Sequence, residues 1–396
     1  MANKNLKQAK KNKKDEFYTQ YTDIQNEINA YIEYNADVFR GKTILLPCDD
    51  PEWSNFTKFF AQNFENFGLK KLISTSYAIE SKNIDLDWQP TLFETDNPNY
   101  DIDKTKVKGK IFILERDKNN NGKIDIDDLE WKYMEGDGDF RSDEVKALRD
   151  EADFIITNPP FSLFREFLDW IMEADKKFAI IGNQNSIACK EVFPLIRDNK
   201  MWLGPSISSG DRAFNVPDSY ELNAAGCGID NDGKKFIRVK GVRWFTNIEH
   251  GRRHQRMQLM TMTGNIKYSR HKEVRGIGYQ TYDNYNAIEI PFSDAIPSDY
   301  DGVMGVPLTF LDKYCPEQFE ILGCSQRGCH DLVPDTKKYN DYWETKQNGQ
   351  RTGSSGNKTN ENPNIARNDG KNNYFINAEG HIVQSAYSRI FIRKKQ

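Results

Sequence analysis

Residues 43–77 read TILLPCDDPEWSNFTKFFAQNFENFGLKKLISTSY, and this stretch decides the fold. The apolar run Thr43–Leu46 stops at a proline and predicts a buried strand, and residues 72–77 predict a second one. Between them, phenylalanines recur at helical spacing over residues 53–67, and Gly68 ends the helix. This order of strand, helix and strand predicts two parallel strands joined by a right-handed crossover.

The alternation of strands and helices continues along the first half of the chain. Residues 153–157 and 178–182 predict two more buried strands, with a helix at 164–172 between them. The first half therefore predicts a Rossmann-like, doubly wound, mostly parallel α/β sheet. An acidic, turn-rich insertion fills residues 80–145. After about residue 200 the strand-like runs become short and irregular, which predicts a mixed α+β region.

Charge is distributed unevenly along the chain. The 396 residues hold 55 Lys and Arg against 59 Asp and Glu. Residues 1–14 hold six lysines and no acid, which is typical of a disordered basic arm. Residues 81–144 carry seventeen acids against ten bases, whereas residues 234–275 carry twelve bases against two acids. This basic block predicts a face that binds a polyanion, because Lys and Arg displace the counterions of phosphates; the alternative is a solvated basic surface.

Seven basic residues of this block are candidate phosphate contacts. They are Arg252, Arg253, Arg256, Lys267, Arg270, Lys272 and Arg275.

Several features bear on where the protein works. No apolar run approaches the roughly 20 residues that a membrane-spanning helix needs. The first fourteen residues lack the apolar segment of a secretory signal. The six cysteines are scattered, which is typical of a reduced protein without structural disulfides. We therefore expect a cytoplasmic protein with no membrane association, and we expect a monomer.

The strand at 153–157 runs directly into Asn158, Pro159, Pro160 and Phe161. At the carboxyl end of a parallel strand, such a segment can reach a ligand. The Asn158 side-chain oxygen and the Pro159 carbonyl can accept both hydrogens of an exocyclic adenine amine, which frees the nitrogen lone pair to attack a sulfonium methyl group. The prolines stiffen the loop, and Phe161 offers a face for a stacked base. The alternative is an Asn-Pro turn followed by a buried phenylalanine.

Two motifs in this order resemble those of γ-type N6-adenine methyltransferases. DEFYTQ at 15–20 is similar to the FYTP-type motif, which lies against the cofactor in that family, and NPPF at 158–161 is similar to the catalytic (D/N)PP(Y/F) motif. Three further stretches together resemble the EcoRI-type adenine methylases more narrowly. They are LPCDDP at 46–51 with SNF at 54–56, GDGDFRS at 136–142, and TNPPFSLFREF at 157–167.

The resemblance implies a class I fold and a site-specific enzyme that uses S-adenosyl-L-methionine. The implied reaction is methylation of N6 of adenine in double-stranded DNA, by base flipping and direct in-line transfer, within a restriction–modification system. Residues 15–235 would then form the catalytic domain, with catalytic roles for 158–161, and residues 236–396 a DNA target-recognition region. The residues implied to lie at the cofactor are Phe17, Tyr18, Thr19, Cys48, Asp49, Asp50, Asn55 and Asp139.

The acidic residues of these motifs allow more than one role. Asp49 or Asp50 can pair with the cofactor ammonium, or both can cap the following helix. Asp139 can accept a hydrogen bond from the cofactor adenine amine, or it can belong to a glycine-rich turn. The turn after Thr43–Leu46 carries no glycine, in contrast to most such enzymes, so the contacts to the methionine moiety stay open.

Residues 117–128, DKNNNGKIDIDD, match the pattern of a calcium-binding loop. Side chains with oxygen ligands stand at positions 1, 3, 5 and 9 and a glycine at position 6, but Asp replaces Glu at position 12. The alternative is an Asn/Asp-rich turn without an ion. The predicted ligands of a structural Ca²⁺ are Asp117, Asn119, Asn121, Asp125 and Asp128.

Other functions share parts of this pattern. RNA adenine or guanine N-methyltransferases and protein glutamine methyltransferases use a related Asn-Pro-Pro-aromatic loop. An inactive DNA-binding or calcium-binding homologue is an alternative of a different class. The basic block and the long C-terminal region favour a nucleic acid over a protein substrate, and the intact motif at 158–161 favours an active enzyme.

Overall fold

The computed structural model describes residues 18–47, 49, 54–78, 95, 98, 100–208, 211–216, 222, 226–230, 233–325, 343–355, 362–377 and 379–395. The chain divides into two compact units, unit 1 within Met1–Gln184 and Leu203–Gly251, and unit 2 within Asn185–Trp202 and Arg252–Gln396. The predicted basic arm at 1–14 lies outside the described residues.

The helices and strands are numbered here in chain order. The first part of the chain contains β1 (Tyr18–Thr19), α1 (Tyr21–Tyr34), β2 (Thr43–Leu46), α2 (Asn55–Gln62), α3 (Phe64–Phe67), β3 (Lys71–Ser76), α4 (Ile102–Val107), β4 (Lys110–Leu114), β5 (Glu130–Tyr133), α5 (Asp143–Glu151), β6 (Phe154–Thr157), α6 (Phe164–Glu173), β7 (Lys177–Asn183), α7 (Phe193–Arg197), β8 (Trp202–Leu203), β9 (Asp211–Asn215), β10 (Gly228–Ile229), β11 (Lys235–Lys240) and β12 (Val242–Thr246). The rest contains α8 (Met262–Tyr268), β13 (Ile288–Glu289), β14 (Met304–Pro307), β15 (Phe319–Cys324), β16 (Trp343–Thr345), β17 (Arg351–Ser355), β18 (Asn364–Ala366), β19 (Phe375–Ile376), β20 (Ile382–Ser385) and β21 (Arg389–Lys394). Short 3₁₀ turns lie at Ile126–Asp128, Gln184–Ala188, Gly251–His254, Ser293–Ala295 and Leu308–Lys313.

Unit 1 is built on an eight-stranded sheet in the order β5-β4-β3-β2-β6-β7-β12-β8. The four central strands, β3, β2, β6 and β7, are parallel to one another, which confirms the predicted parallel α/β sheet at its centre. Its flanks differ, because β4 and β5 from the acidic insertion add antiparallel strands beside β3, and β12 lies antiparallel to β7. Unit 1 therefore extends beyond residue 235, where the sequence places the end of the catalytic domain.

The helical segment predicted at 53–67 forms two helices rather than one. Helix α2 begins after Ser54, whose hydroxyl accepts a hydrogen bond from the Phe56 backbone N–H. It ends at Asn63, whose side chain donates to the Phe59 carbonyl at 2.9 Å. Asparagine side chains compete with helical hydrogen bonds in this way, which separates α2 from α3. The phenylalanines Phe56, Phe59 and Phe60 are at most 2% exposed, as their helical spacing predicts.

A second sheet of unit 1 has the order β1-β9-β11-β10 and is antiparallel throughout. In its register, Tyr18 lies opposite Asn215 and Thr19 opposite Phe214. The Asn55 side chain, at the start of α2, donates to the Thr19 carbonyl at 2.7 Å. Thr19 is thereby joined to the start of the helix that follows β2, the first strand of the large sheet in chain order.

Unit 2 is a mixed region with three small sheets. The largest has the order β13-β14-β21-β15, in which only the β13–β14 pair is parallel. A two-stranded hairpin, β16-β17, and a three-stranded sheet, β18-β20-β19, complete the described strands. The antiparallel pairing and the short strands agree with the mixed region predicted after residue 200. Among the described helices of both units, none has the length and hydrophobicity needed to cross a bilayer.

Candidate active site

The site is built where three neighbouring parallel strands of the large sheet end. Strand β2 leads into Pro47 and Asp49, β3 leads into Tyr77, and β6 leads into Asn158. Because β2 lies between β3 and β6, these segments meet at one edge of the sheet. The carboxyl edge of parallel strands is the usual place for a ligand in such folds.

Asp49 occupies the middle of this edge and is only 7% exposed. Its carboxylate accepts hydrogen bonds from the hydroxyls of Ser54, at 2.7 Å, and Thr157, at 2.5 Å. The residue that caps α2 is Ser54, so Asp49 supports the capping residue instead of capping the helix itself. Three other residues implied to lie at the cofactor, Phe17, Cys48 and Asp50, fall outside the described residues.

The Asn158–Phe161 loop follows β6 directly. Asn158 is half-buried and its side-chain oxygen is shielded from solvent, while Pro159 is buried. The Pro160 carbonyl accepts a hydrogen bond from the Leu163 N–H at 2.9 Å, which turns the chain into α6. Phe161 is half-buried, and its ring meets that of Phe214 edge-on with centroids 6.3 Å apart. The loop therefore begins at the end of β6 and ends in the turn that leads into α6.

Strand β9 connects the two motifs that lie far apart in the sequence. Phe214 of β9 pairs in register with Thr19 on one side and contacts the Phe161 ring on the other. Phe214 therefore lies between Thr19 of the first motif and Phe161 of the second. The sequence does not predict β9, because its residues, DRAFN, contain one large apolar side chain and give no clear alternation.

Asp139 lies beside the end of β3, in the GDGDFRS stretch. Gly138 has a φ of +87°, and a Cβ there would stand 2.4 Å from the Ser76 carbonyl oxygen, so the close approach to β3 requires glycine. The Asp139 carboxylate accepts hydrogen bonds from Tyr77 Oη at 2.5 Å and from Arg141 Nε at 2.8 Å. Asp139 is therefore a fixed part of the site edge as well as a member of a glycine-rich turn.

The pKa of Asp139 makes stability depend on pH. Burial alone would raise this pKa, but the hydrogen bonds from Arg141 and Tyr77 outweigh it and lower the pKa from 3.8 to about 2. A carboxyl group whose pKa is lower in the folded state stabilises the fold at pH values above its unfolded-state pKa. That contribution is lost as the pH falls through the folded-state pKa. We therefore expect the difference in free energy of unfolding between wild type and Asp139→Asn to be constant above about pH 5 and to shrink between about pH 4 and 2.

Urea unfolding at a series of pH values measures this difference. Asp143→Asn is a suitable control, because Asp143 has a fully exposed side chain on the neighbouring helix α5. A difference for Asp139→Asn that is as large at about pH 3 as at about pH 7 would contradict the assigned hydrogen bonds.

The predicted calcium loop does not gather its oxygen ligands around a common centre. Asp117 accepts hydrogen bonds from the backbone N–H groups of Asn121 and Gly122, and Asp128 accepts them from Lys118 and Asn119. Asp125 and Asp128 form a reciprocal capping box around a 3₁₀ turn. Among the described residues, no group of three or more His, Cys, Asp or Glu side chains is placed to hold a metal ion. The predicted Ca²⁺ ligands Asp117, Asn119, Asn121, Asp125 and Asp128 thus find no support, because backbone N–H groups engage these side chains.

The part of the basic block that belongs to unit 2, residues 252–275, presents most of its cations to solvent. Five of these cations are exposed, namely Arg256, Lys267, Arg270, Lys272 and Arg275. Arg252 is half-exposed. Arg253 differs, since it is 6% exposed, lies with its guanidinium carbon 3.8 Å from the Trp202 ring centroid, and donates to the Asn199 side chain at 3.0 Å. Arg253 therefore packs inside unit 2 and does not belong to the phosphate-contacting surface predicted from sequence.

Comparisons with known proteins identify the family. The family described as adenine-specific methyltransferase EcoRI matches residues 5–395. The chain is 44% identical over 320 residues to the Type II methyltransferase M.EcoRI of Escherichia coli, covering 81% of this chain and 89% of that protein. It is 30% identical over 341 residues to the Type II methyltransferase M.MpnI of Mycoplasma pneumoniae, covering 84% of this chain and 89% of that protein. No solved structure matches the chain. With this similarity along nearly its whole length, the chain belongs to the EcoRI family of adenine-specific methyltransferases and is an enzyme of that class.

Proposed function

We propose that this enzyme methylates N6 of adenine at a specific site in double-stranded DNA, as the modification enzyme of a restriction–modification system. The observation that carries the proposal is the Asn158–Phe161 loop, which is held at the carboxyl end of β6 and joined through β9 to the N-terminal motif. The relatives are named Type II methyltransferases, which supports DNA as the substrate.

The loop supplies the groups that the transfer needs. The Asn158 side-chain oxygen and the Pro159 carbonyl accept the two N–H bonds of an adenine that has been flipped out of the duplex. This interaction localises the lone pair on the nitrogen and aligns it for direct in-line attack. The half-buried ring of Phe161 stacks on the base. A general base is not needed before transfer, because the proton leaves afterwards.

Membership in a methyltransferase family implies S-adenosyl-L-methionine as the cofactor, which supplies a methyl group on a sulfonium. The segments that follow β2 and β3 would hold this molecule. Gly138 brings the turn that carries Asp139 close to the end of β3, and Asp139 has an ionised carboxylate of which 18% stays exposed. We assign to Asp139 a hydrogen bond from the cofactor adenine amine. Thr19 and Asn55, which are joined by a hydrogen bond, would complete the cofactor site with Tyr18.

The two units are assigned different tasks. Unit 1 carries the motifs and is proposed to be the catalytic unit. Unit 2 carries the exposed cations and is proposed to recognise the DNA target, because basic side chains contact phosphates while neighbouring polar groups read bases. The proposed phosphate contacts are Arg252, Arg256, Lys267, Arg270, Lys272 and Arg275.

Transfer of a tritiated methyl group from the cofactor tests the proposal directly. The enzyme is incubated separately with duplex DNA, single-stranded RNA and protein extract. We expect label only on duplex DNA, and we expect nuclease digestion to release it as N6-methyladenine. Label on RNA alone, or on protein alone, would overturn the DNA assignment, and absence of transfer to all three would support an inactive homologue.

Salt dependence of DNA binding tests the proposed phosphate contacts. Removing one cation that binds a phosphate should reduce the slope of log K against log salt by about 0.9. We expect Arg256→Gln, Lys272→Gln and Arg275→Gln each to weaken binding of a fluorescent duplex at low salt and to lower this slope. Lys106→Gln is the control, since Lys106 is an exposed cation on α4 in the acidic insertion. Slopes that equal the wild-type slope in all three variants would place the DNA elsewhere.

A further inference from the structure

The proposed transfer step leaves a buried carboxylate without an assigned task. Asp49 is 7% exposed, and each of its two carboxylate oxygens accepts one hydroxyl hydrogen bond, from Ser54 at 2.7 Å and from Thr157 at 2.5 Å. These lengths are typical of hydroxyl bonds to an ionised carboxylate. A carboxylate in a buried place is stable only when such donors surround it. The hydroxyls of Ser54 and Thr157, 3% and 0% exposed, meet that need.

The backbone of Asp49 is held as well as its side chain. The Asp49 carbonyl accepts hydrogen bonds from the hydroxyls of Thr57, at 2.9 Å, and Ser74. Thr57 lies on α2, Ser74 on β3 and Thr157 at the end of β6. Through these hydroxyls Asp49 links the end of β2 to both neighbouring strands and to the helix that follows it. The position of this carboxylate is therefore fixed from several directions.

Thr157 is the residue through which this network reaches the reacting group. It immediately precedes Asn158, and its hydroxyl lies 2.9 Å from the Pro47 carbonyl as well as next to Asp49. A β-branched side chain has few rotamers, so fixing the hydroxyl also fixes the backbone at that residue. The peptide between Thr157 and Asn158 sets the direction in which the Asn158 side chain leaves the strand.

We infer that Asp49 is a positioning residue that orients Asn158 by way of Thr157. The inference rests on the proposed function, and it gives Asp49 a task other than pairing with the cofactor ammonium. Displacement of a reacting group by about 1 Å can lower a rate about 10²-fold, so a small rotation of Asn158 is enough to affect turnover.

The test compares threonine and aspartate variants of the full-length enzyme with duplex DNA as substrate. Thr157→Val keeps the shape of the side chain and removes its hydroxyl, and we expect kcat to fall about 10²-fold. Thr157→Ser restores the hydroxyl and should recover most of kcat. Asp49→Asn should lower kcat similarly, and the double variant should show no loss beyond that of the more affected single variant, because both changes break one pathway. Calorimetric Kd values for S-adenosyl-L-methionine should stay at the wild-type value.

Thr246→Val is the matched control, because Thr246 is a fully buried strand threonine whose hydroxyl donates to the Phe178 carbonyl at 2.7 Å. It should lose comparable thermal stability and keep its kcat. The inference is overturned if Thr157→Val keeps the kcat of Thr246→Val, or if Asp49→Asn raises the cofactor Kd with wild-type kcat at saturation. If Thr157→Val does not fold, kcat and the cofactor Kd of Asp49→Asn, which conserves side-chain volume, test the inference instead. A wild-type enzyme that leaves duplex DNA unmethylated contradicts the proposed function instead.

Discussion

Replacement of Asn158 by alanine is expected to lower kcat for adenine methylation by about 10²- to 10³-fold, the range for removal of one preorganised hydrogen-bonding group. The side-chain oxygen of Asn158 is shielded from solvent, so a water molecule should not readily replace this oxygen in the alanine variant. The Kd for S-adenosyl-L-methionine should not change, because Asn158 acts on the adenine amine. Single-turnover transfer of a labelled methyl group measures the rate, and calorimetry measures the Kd.

Two further variants make this expectation specific. Asn158→Asp keeps an oxygen acceptor at the same position and should retain more activity than Asn158→Ala. Asn183→Ala is the matched control, because Asn183 ends the neighbouring parallel strand β7 and its side chain donates to the Lys240 carbonyl at 3.0 Å. It should keep the wild-type kcat. An Asn158→Ala enzyme that turns over at the rate of Asn183→Ala would refute the catalytic role of Asn158.

Replacement of Glu289 by glutamine is expected to destabilise unit 2 by about 3–5 kcal/mol, because it leaves a buried guanidinium without its counter-charge. Arg389 contacts Glu289 at 2.5 Å, and both side chains are 9% exposed. Burial alone would lower the pKa of Arg389, but the hydrogen bond and charge of Glu289 raise it above its usual value. The Tyr282 hydroxyl donates to the same carboxylate and completes the cluster. Chemical unfolding of wild type and Glu289→Gln measures the loss.

Strand β21 provides an internal control for this second expectation. Arg393 lies on the same strand as Arg389 and pairs with Glu320 of β15 at 3.2 Å, but these side chains are 44% and 40% exposed. Solvent screens such a pair, so Glu320→Gln should cost at most about 1 kcal/mol. An equal loss of unfolding free energy for Glu289→Gln and Glu320→Gln would show that burial of the Arg389 pair does not govern its contribution.

The parts of the fold that sequence analysis predicted are those with a strong local pattern. The buried strands at Thr43–Leu46 and Phe154–Thr157 are short apolar runs that end in prolines or polar turns. The aromatic face of α2 follows the helical repeat. The strand predicted at Lys110–Leu114 is β4. Strand β9 and the antiparallel edge strand β5 were harder to predict, because the edges that the finished sheets leave open decide their pairing partners.

The candidate site likewise has features that follow from local sequence and features that depend on tertiary contacts. The sequence alone determined the family to which the chain belongs, and it suggested the chemistry proposed for Asn158–Phe161, because those residues are contiguous and their types suit the proposed reaction. Only the tertiary structure decided that Arg253 is buried, that backbone N–H groups engage the predicted calcium ligands, and that Asp49 contacts Thr157. Asp49 and Thr157 are 108 positions apart. Whether two such side chains meet depends on the register between β2, which precedes Asp49, and β6, which ends at Thr157. Local periodicity specifies which face of an element is buried, whereas hydrogen-bond partners from distant segments are fixed only when the elements have packed together.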